Sequence, residues 1–368
     1  MSIVGARPNF MKVAPFARAL RGYAVEHVLV HTGQHYDHDM SKAFFDELEL
    51  AEPDVNLGVG SGSYAYQVGQ TMIEFEKVLV SYKPDWVVVV GDVNATAACS
   101  IIARRHQARV AHIEAGLRSN DWEMPEEINR VVTDRVSNLF FTTDSSADEN
   151  LLREGVNPEA ICRVGNIMID TMAYERERAA RLDPIDFIAR NLVAARPVAF
   201  ASGGYLLLTM HRPSNVDDPG TLAELVGVLL ELAETAPLIF PIHPRTKLRL
   251  EEFDLWDRFV GHPRVLPLKP LTYREMLRLT LEARVVLTDS GGLQEETAVL
   301  GVPCLTLRWN TERPVTLIEN GGTSQLVGNN PTRIRDAFQM ALTQRRTPAP
   351  PALWDGHTAE RIVKRILR

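Results

Sequence analysis

Short apolar runs alternate with longer amphipathic segments along the first half of the chain. The amphipathic segments that fit helices include residues 9–21 and 63–82. The apolar runs are rich in β-branched residues without strict alternation, and they lie at 2–4, 25–32, 85–92, 108–115 and 138–143. Strands that are apolar on both faces and separated by helices are typical of a parallel sheet covered by helices on each side.

The second half of the chain repeats this alternation. Residues 221–234 and 272–283 fit amphipathic helices. The apolar runs lie at 205–211, 236–243, 283–289 and 302–307. The two halves together predict an α/β protein made of two Rossmann-like domains, whose parallel sheets face a central cleft.

The boundary between the halves falls in a segment without an apolar strand. Residues 166–203 are helical in character and end in a link rich in proline and glycine. We therefore predict a first domain over 1–168, a helical linker over 169–203 and a second domain over 204–350. The last segment, 357–368, has the pattern of an amphipathic helix, and we expect it to pack back on the first domain.

Length and composition agree with this picture and exclude several classes of protein. At 368 residues the chain exceeds what one hydrophobic core usually supports. With 45% hydrophobic residues it is of the globular class, and its net charge of −7 argues against nucleic acid as a partner. No apolar run approaches the roughly 20 residues of a membrane helix, so no membrane partner is expected. The three cysteines are far apart in apolar contexts, which favours reduced thiols and a cytoplasmic protein.

Ligands of parallel sheets bind at the carboxyl ends of the strands, so the polar residues that follow each apolar run are the candidates for a site. The first run is followed by GARPNFMK, where Arg7 and Lys12 lie beside a helix start and would favour an anion. The run 85–92 ends in Asp92, which either caps the next helix or serves in the site.

The segment AHIEAGLRSNDWEMPEEINR is the densest in ionisable groups. Pro-Glu-Glu is good helix-start chemistry, so one of Glu126 and Glu127 has a structural role in this interpretation. Two or three carboxylates that converge on one cleft would suit general acid–base catalysis. The remaining ionisable candidates of the segment are His112, Glu114, Arg118 and Arg130.

The second half offers cations and a glycine turn at its strand ends. His211 and Arg212 follow one run, and the next is followed by His243, Arg245 and Lys247; these would face a phosphate. In TDSGGLQEE, a Ser-Gly-Gly turn comes before two carboxylates. The turn suits an anionic ligand at a helix N-terminus, or it is an ordinary strand–turn–helix connection.

The segment HTGQHYDHD contains three histidines that could in principle bind zinc, namely His31, His35 and His38. No supporting groups around them are identifiable, so we expect no metal. The chain also lacks a Walker A pattern, and GVGSGS does not have the spacing of a dinucleotide-binding turn.

Taken together, these segments resemble the non-hydrolysing UDP-N-acetylglucosamine 2-epimerases. The resemblance implies a GT-B-like pair of Rossmann domains that acts as a homodimer and interconverts UDP-GlcNAc and UDP-ManNAc without a nicotinamide cofactor. It implies anti elimination of UDP, a 2-acetamidoglucal intermediate and re-addition of UDP. It also implies that the product is used in surface polysaccharide synthesis. The matching segments are, in chain order, GARPNFMKVAP, TGQH, GDVNAT, HIEAGLRS, MPEEINR, GNIMIDT, TMHRPSN, IHPRT, TDSGGLQEE and NTERP.

The resemblance also implies roles for particular residues. Acid–base and leaving-group roles around the sugar fall to Asp92, Glu114, Glu126 and His211. Substrate binding falls to Arg7, Lys12, Gln34, His35, Arg130, His243, Arg245, Ser290, Gly291, Gly292, Glu296 and Arg313. Among these, Arg7 and the Ser-Gly-Gly backbone would hold the diphosphate, Glu296 the ribose hydroxyls, and Arg313 would support nucleotide binding. Glu295 is expected to be a solvated or capping neighbour.

Two departures from the family pattern leave the identity of the substrate's sugar undecided. Many members have Glu where this chain has Asn9, and KPLTYREM lacks the Gln and Phe that some epimerases place near Leu271 and Met276. The substrate could therefore also be a UDP-2,3-diacetamido uronic acid or another 2-acetamido sugar. A hydrolysing epimerase that releases ManNAc, a retaining GT-B glycosyltransferase and a sugar-nucleotide sensor without activity also stay open on sequence alone.

Overall fold

Both sheets of the protein are parallel and doubly wound. A computed structural model describes residues 1–5, 7–33, 47–193, 204–343, 347–348 and 350–368. The contacts divide the chain into two compact units, of which the first joins Met1–Thr171 to Ala352–Arg368 and the second is Met172–Pro351. The predicted class, an α/β protein with two parallel sheets, is confirmed. The domain boundaries at 168, 203 and 350 stay a prediction.

The first unit contains a seven-stranded sheet of order β3-β2-β1-β4-β5-β6-β7. The chain order reverses between β1 and β4, which makes the carboxyl ends of these strands the switch point of the sheet. The strands are β1 Ser2–Val4, β2 Leu29–His31, β3 Val55–Asn56, β4 Trp86–Val90, β5 Arg109–Ala115, β6 Leu139–Thr142 and β7 Ile161–Arg163. The α-helices that begin within the described part of Met1–Thr171 and have defined bounds are Arg7–Leu20, Tyr64–Tyr82, Asn94–Arg105, Pro125–Val136, Ser145–Arg153 and Ile167–Ala180.

Helices cover the sheet on both faces because successive side chains of its strands point to opposite sides. Val88 and Val90 of β4 pack in a core with Phe10, while Val87 and Val89 pack in another with Phe75. This two-sided burial explains why the central strands are apolar without alternation.

The last helix of the chain, Thr358–Ile366, completes the first unit. Ile362 and Val363 are buried in the same core as Phe16 of the first helix. The carboxylate of Asp170 accepts hydrogen bonds from the backbone N–H groups of Thr358, at 3.0 Å, and of its neighbour, at 2.7 Å. The final helix is thus held by apolar burial and by a carboxylate at its N-terminus.

The second unit contains a six-stranded sheet of order β10-β9-β8-β11-β12-β13, whose chain order reverses between β8 and β11. The strands are β8 Leu206–Thr209, β9 Leu238–Pro241, β10 Val265–Leu268, β11 Val285–Thr288, β12 Cys304–Thr306 and β13 Ser324–Leu326. The helices are Pro184–Asn191, Pro213–Val216, Pro219–Ala233, Pro244–Glu252, Trp256–Val260, Tyr273–Glu282, Gly291–Leu300 and Pro331–Thr343. Leu206 and Leu208 of β8 pack in one core, and Leu207 packs in the core on the other face. None of the helices in the described ranges is long and apolar enough to cross a membrane.

Candidate active site

Asp92 lies just past the carboxyl end of β4, at the switch point of the first sheet. Its carboxylate accepts a hydrogen bond from Nη2 of Arg130 at 2.6 Å. Asn129 binds the backbone carbonyl of Asp92 at 2.9 Å. The following helix has Val93 at its N-cap and no side-chain cap. The hypothesis that Asp92 caps this helix is therefore wrong, and its carboxylate is turned to Arg130 instead.

Glu114 occupies a distorted position at the end of β5. Its φ angle is +68°, in the left-handed region, and the pairing of β5 with β6 shifts register between Ile113 and Ala115. One carboxylate oxygen, Oε2, lies 2.5 Å from Nζ of Lys12. The other oxygen, Oε1, is buried without a hydrogen-bond partner among the described residues. Strain and an unpaired buried oxygen are both costly, and such costs concentrate at functional sites.

Gly91 joins Asp92 to the pair formed by Lys12 and Glu114. A Cβ atom at Gly91 would lie 3.3 Å from Nζ of Lys12 and 3.5 Å from Oε2 of Glu114. The φ angle of Gly91 is +67°, which favours glycine. The first unit therefore brings together Lys12, Asp92, Glu114 and Arg130 of the predicted site.

Of the two acids that open helix Pro125–Val136, Glu127 is the structural one. Its buried carboxylate accepts hydrogen bonds from the backbone N–H groups of Ser119, at 2.9 Å, and Asn120, at 3.0 Å. It also binds Nη1 of Arg130 at 2.9 Å. Glu126 is half-buried in the first turn of the helix, and no described residue binds its carboxylate.

His112 and Arg118, which are candidates on sequence alone, are directed into the body of the first unit. The His112 ring is fully buried, with Nδ1 at 2.7 Å from Asp134 and Nε2 at 2.9 Å from the carbonyl of Gly91. Arg118 pairs with Asp134 at 2.8 Å and with Glu154 at 2.8 Å. Burial alone would raise the pKa of Asp134, but the charges and hydrogen bonds of His112 and Arg118 lower it. This network stabilises the turn before Asp92 through the carbonyl of Gly91. No pattern in the sequence identifies Asp134 as a member of it.

In the second unit, His211 follows β8 and is paired with a residue that the sequence pattern does not single out. Asp289, just past β11, is fully buried. Its Oδ1 lies 2.9 Å from Nδ1 of His211. Burial alone would raise the pKa of Asp289, but the adjacent His211 ring and two backbone N–H groups lower it. A buried, ionised aspartate therefore faces one ring nitrogen of His211.

His243 and Arg245 follow β9, next to β8 in the sheet. The ring of His243 lies 5.1 Å from that of His211, centroid to centroid. Its Nδ1 accepts a hydrogen bond from the backbone N–H of Arg245 at 3.2 Å and caps helix Pro244–Glu252. Burial, followed by the charge of His211, lowers the pKa of His243. Nε of Arg245 lies 3.0 Å from Asp217, which offsets its charge.

Ser290, Gly291 and Gly292 form the start of helix Gly291–Leu300, where the first backbone N–H groups have no partner within the helix. Ser290 is the N-cap and makes no side-chain cap. A Cβ atom at Gly291 would lie 2.7 Å from Nη1 of Arg313. Only glycine therefore allows Arg313 to lie against this helix start.

The same helix carries the two neighbouring acids, Glu295 and Glu296. The expectation that Glu295 is solvated or capping is wrong: it is buried, and it accepts a hydrogen bond from Nε of Arg313. Arg313 also binds Glu312, which pairs with Arg308 at 2.7 Å. These four residues form a buried ionic network that fixes Arg313. The sequence points to Arg313 as a site residue and does not predict that Glu295, Arg308 and Glu312 hold it.

Glu296 is buried beside Tyr273, the first residue of helix Tyr273–Glu282. The Tyr273 hydroxyl donates to Oε1 of Glu296 at 2.8 Å. Burial raises the pKa of Glu296 to about 7, and the hydrogen bond from Tyr273 opposes this rise. The predicted ribose-binding acid is thus poised to change its charge near neutral pH.

Three of the predicted substrate-binding groups are not described by the structure. Gln34 and His35 lie outside the described residues, as does His38 of the histidine-rich segment. Arg7 is the first residue of helix Arg7–Leu20, and its side chain lies outside the described part.

Two doubly wound parallel sheets, each with ionisable side chains gathered at its switch point, define an α/β enzyme of the GT-B-like class. A family model described as UDP-N-acetylglucosamine 2-epimerase matches residues 18–367, and the chain belongs to this family of isomerases.

Relatives match over most of the length of both chains. A protein of Methanocaldococcus jannaschii named UDP-N-acetylglucosamine 2-epimerase is 42% identical over 98% of this chain and 97% of its own. The crystal structure of the UDP-GlcNAc 2-epimerase from this organism, in complex with UDP-GlcNAc and UDP, superposes with a TM-score of 0.90 at 41% identity and covers 100% of this chain and 98% of that one. A Pseudomonas aeruginosa protein named UDP-2,3-diacetamido-2,3-dideoxy-D-glucuronate 2-epimerase is 38% identical over 85% of this chain and 84% of its own.

Proposed function

We propose that the protein interconverts UDP-GlcNAc and UDP-ManNAc by inverting the configuration at C2 of the sugar. Membership of the family and the similarity to a relative that binds UDP-GlcNAc and UDP support this substrate. The observation that carries the proposal is Glu114, whose carboxylate has one oxygen paired with Lys12 and one buried oxygen without a described partner. A base that must accept a proton from carbon needs such an oxygen.

The proposed reaction is an elimination followed by its reversal. Glu114 accepts the proton of C2, the C2–H and C1–O bonds break, UDP leaves with the electron pair of the C1–O bond, and a C1=C2 double bond forms. UDP then adds back to C1 of this 2-acetamidoglucal while a proton is delivered to the other face of C2. Asp92 and Glu126 are the candidates for that delivery. Holding UDP beside the glycal makes the return step effectively unimolecular.

The second unit supplies the groups proposed to stabilise the leaving UDP. The backbone N–H groups of the Ser-Gly-Gly turn would bind the diphosphate, because a helix N-terminus favours anions. Those of Gly291 and Gly292 have no partner among the described residues, whereas that of Ser290 binds Oγ1 of Thr288 at 2.9 Å. His211 would assist the departing phosphate oxygen, and Glu296 would accept hydrogen bonds from the ribose hydroxyls. Arg313 would act on the nucleotide by fixing the helix start, since its guanidinium already binds two carboxylates.

The test is incubation with UDP-GlcNAc in deuterated water, followed by NMR of the sugar. We expect UDP-ManNAc and deuterium at C2 in both sugars. Intact substrate without exchange contradicts the proposal for this sugar, and free ManNAc with UDP indicates a hydrolysing epimerase.

A second candidate substrate comes from the Pseudomonas relative, whose name refers to a 2,3-diacetamido uronate. The same assay with UDP-2,3-diacetamido-2,3-dideoxyglucuronate decides between the two. A kcat/KM for this sugar about 100-fold above that for UDP-GlcNAc would make it the substrate, since one specific polar contact accounts for such a ratio.

We also propose that the protein is a cytoplasmic homodimer. The three cysteines are unpaired, as is usual in a reducing compartment. Helix Tyr64–Tyr82 exposes an apolar stripe, defined by Tyr66, Ile73 and Val80, whose members are seven residues apart and 50%, 53% and 57% exposed. A stripe with this spacing suits packing against the same helix of a second copy.

A further inference from the structure

The turn after β8 is organised around the carboxylate of Asp289. Its Oδ2 accepts hydrogen bonds from the backbone N–H groups of His211, at 2.8 Å, and Arg212, at 2.7 Å, and from Nδ2 of Asn215 at 3.1 Å. Three donors leave this oxygen no capacity for another role. Oδ1 is also buried, and Nδ1 of the His211 ring lies 2.9 Å from it, in a close contact whose angle is outside the range of a hydrogen bond. One oxygen of Asp289 therefore holds the backbone and the other faces the imidazole.

We infer that Asp289 is a positioning residue for the proposed reaction, and that it fixes which ring nitrogen of His211 meets the departing diphosphate. This inference rests on the proposed function. A carboxylate is only an acceptor, and a ring nitrogen without hydrogen would bring two lone pairs to within 2.9 Å of each other, so the nitrogen beside it has to carry a hydrogen. Nδ1 is therefore the N–H nitrogen of His211, and Nε2 is left to exchange a proton or hydrogen bond with the substrate.

The exposure of the two residues agrees with this division of roles. The His211 side chain is 39% exposed, whereas the Asp289 side chain is 0% exposed. Asp289 has no access to a ligand and can act only through the groups that it binds. The neighbouring His243 uses its Nδ1 as a helix cap, so its hydrogen lies on the opposite ring nitrogen when it is neutral. The two histidines thus present their rings in different tautomers.

The variant Asp289→Asn distinguishes a purely structural role for Asp289, as the anchor of the turn, from the positioning of the His211 ring. The amide oxygen replaces Oδ2 and keeps its three donors, so the turn is preserved. The amide NH2 then replaces Oδ1 and donates towards Nδ1, which forces the ring hydrogen to Nε2. We expect kcat to fall by about 100-fold or more, while the dissociation constant of UDP stays within about 3-fold, well under the 1.4 kcal/mol of a tenfold change.

The direct readout is the ¹⁵N NMR spectrum of the His211 ring. It should show the N–H on Nδ1 in the wild type and on Nε2 in Asp289→Asn. Wild-type protein with the hydrogen on Nε2 overturns the inference, even if the variant does not fold. A wild-type protein without epimerase activity would contradict the proposed function but not this inference. In that case the same ¹⁵N spectrum still tests which ring nitrogen of His211 carries the hydrogen.

Two further variants complete the test. In a His211→Asn background, Asp289→Asn should cost no further activity, because a residue that acts through His211 has nothing left to position. Asp218→Asn is the matched control. It makes the same change of charge seven residues after His211, and Asp218 only caps helix Pro219–Ala233, where its side chain accepts hydrogen bonds from Thr221. Equal losses of kcat in Asp289→Asn and Asp218→Asn, or a full additional loss in the double variant, would contradict positioning through His211.

Discussion

Glu114 combines a strained backbone with a buried carboxylate oxygen that no described residue satisfies. Each feature costs on the order of 1–3 kcal/mol, and neither contributes to stability. Lys12 compensates the charge on one side only. A carboxylate maintained at this cost is the strongest candidate for the proton acceptor.

Glu114→Gln tests this assignment. We expect deuterium exchange at C2 to slow by about 100-fold or more, because an amide cannot accept the proton. UDP affinity should stay within about 3-fold, since Glu114 is not among the groups proposed to bind UDP. The measurements are exchange by NMR and UDP binding by calorimetry. The contrasting variant is Glu127→Gln, whose buried carboxylate holds a loop and which should lower the melting temperature.

Glu296 gives a prediction that depends on pH. Its pKa rises from 4.5 to about 7 on folding, so folding is coupled to the uptake of a proton between these pH values. The resulting contribution to the stability of the folded state is fully present below pH 4.5 and is lost as the pH rises through 7. Glu296→Gln has no charge to bury and should be more stable than the wild type at pH 8, by up to about 3 kcal/mol. The gain should vanish at pH 4.5. Urea unfolding at both pH values measures it.

The matched control for this prediction is Glu319→Gln, because Glu319 is exposed. Equal effects of the two substitutions at pH 8 would contradict a buried charge at Glu296. UDP affinity provides a second check with the opposite trend. If the ionised carboxylate accepts the ribose hydroxyls, wild-type affinity should increase as the pH rises through 7.

For single residues, the sequence predicts the polar side chains at the ends of strands, but it does not predict the buried residues that bind them. Asp92, Glu114 and His211 are found because an apolar run stops at a polar residue. Asp289 also follows a strand, but its role depends on a contact with a residue 78 positions away. The sequence misplaces Glu295 because two adjacent acids look alike until a helix face and the position of Arg313 are known.

Among the elements, helix Gly291–Leu300 depends most on a single small residue. Gly291→Ala would place a methyl group 2.7 Å from Nη1 of Arg313, which is buried and paired with two carboxylates. We expect the free energy of unfolding to fall by about 1–3 kcal/mol and UDP to bind at least about 10-fold more weakly, or 1.4 kcal/mol. Thermal unfolding and calorimetry measure the two effects.

Gly292→Ala is the control for stability. A Cβ atom there meets only Oγ of Ser290, at 4.0 Å. Since alanine favours the helix, stability should stay constant or rise by up to about 1 kcal/mol. A loss of stability as large as that of Gly291→Ala would show that the position of Arg313 is not the cause.

The apolar pattern predicts the central strands of both sheets and misses four short ones, namely β3, β7, β10 and β13. Three of these contain only two or three residues and include polar side chains, such as Val55–Asn56 and Ser324–Leu326. β10 is apolar but contains Pro267. Short strands at or near a sheet edge are specified by pairing with a neighbour, which a local pattern does not contain.

For the whole molecule, the homodimer proposal predicts the effect of Ile73→Glu with Val80→Glu. Two charges in the middle of the apolar stripe would have to be buried on association, so we expect a monomer by sedimentation velocity. Leu248→Glu is the control, because Leu248 is 59% exposed on another helix and should leave the dimer intact. A variant that stays dimeric would place the interface elsewhere, and a monomeric wild type would contradict the proposal itself.

The docking of helix Thr358–Ile366 has a consequence for the order in which the protein is made. The first unit is composed of two segments that lie on either side of the second unit in the sequence, so its core lacks Ile362 and Val363 until those residues have been synthesised. The whole of the second unit, Met172–Pro351, is synthesised before them. Domains usually fold as they emerge, with the N-terminal one first. Here the unit that is begun first is completed after the other, and during that interval its first helix lacks the apolar surface of helix Thr358–Ile366 that packs in the same core.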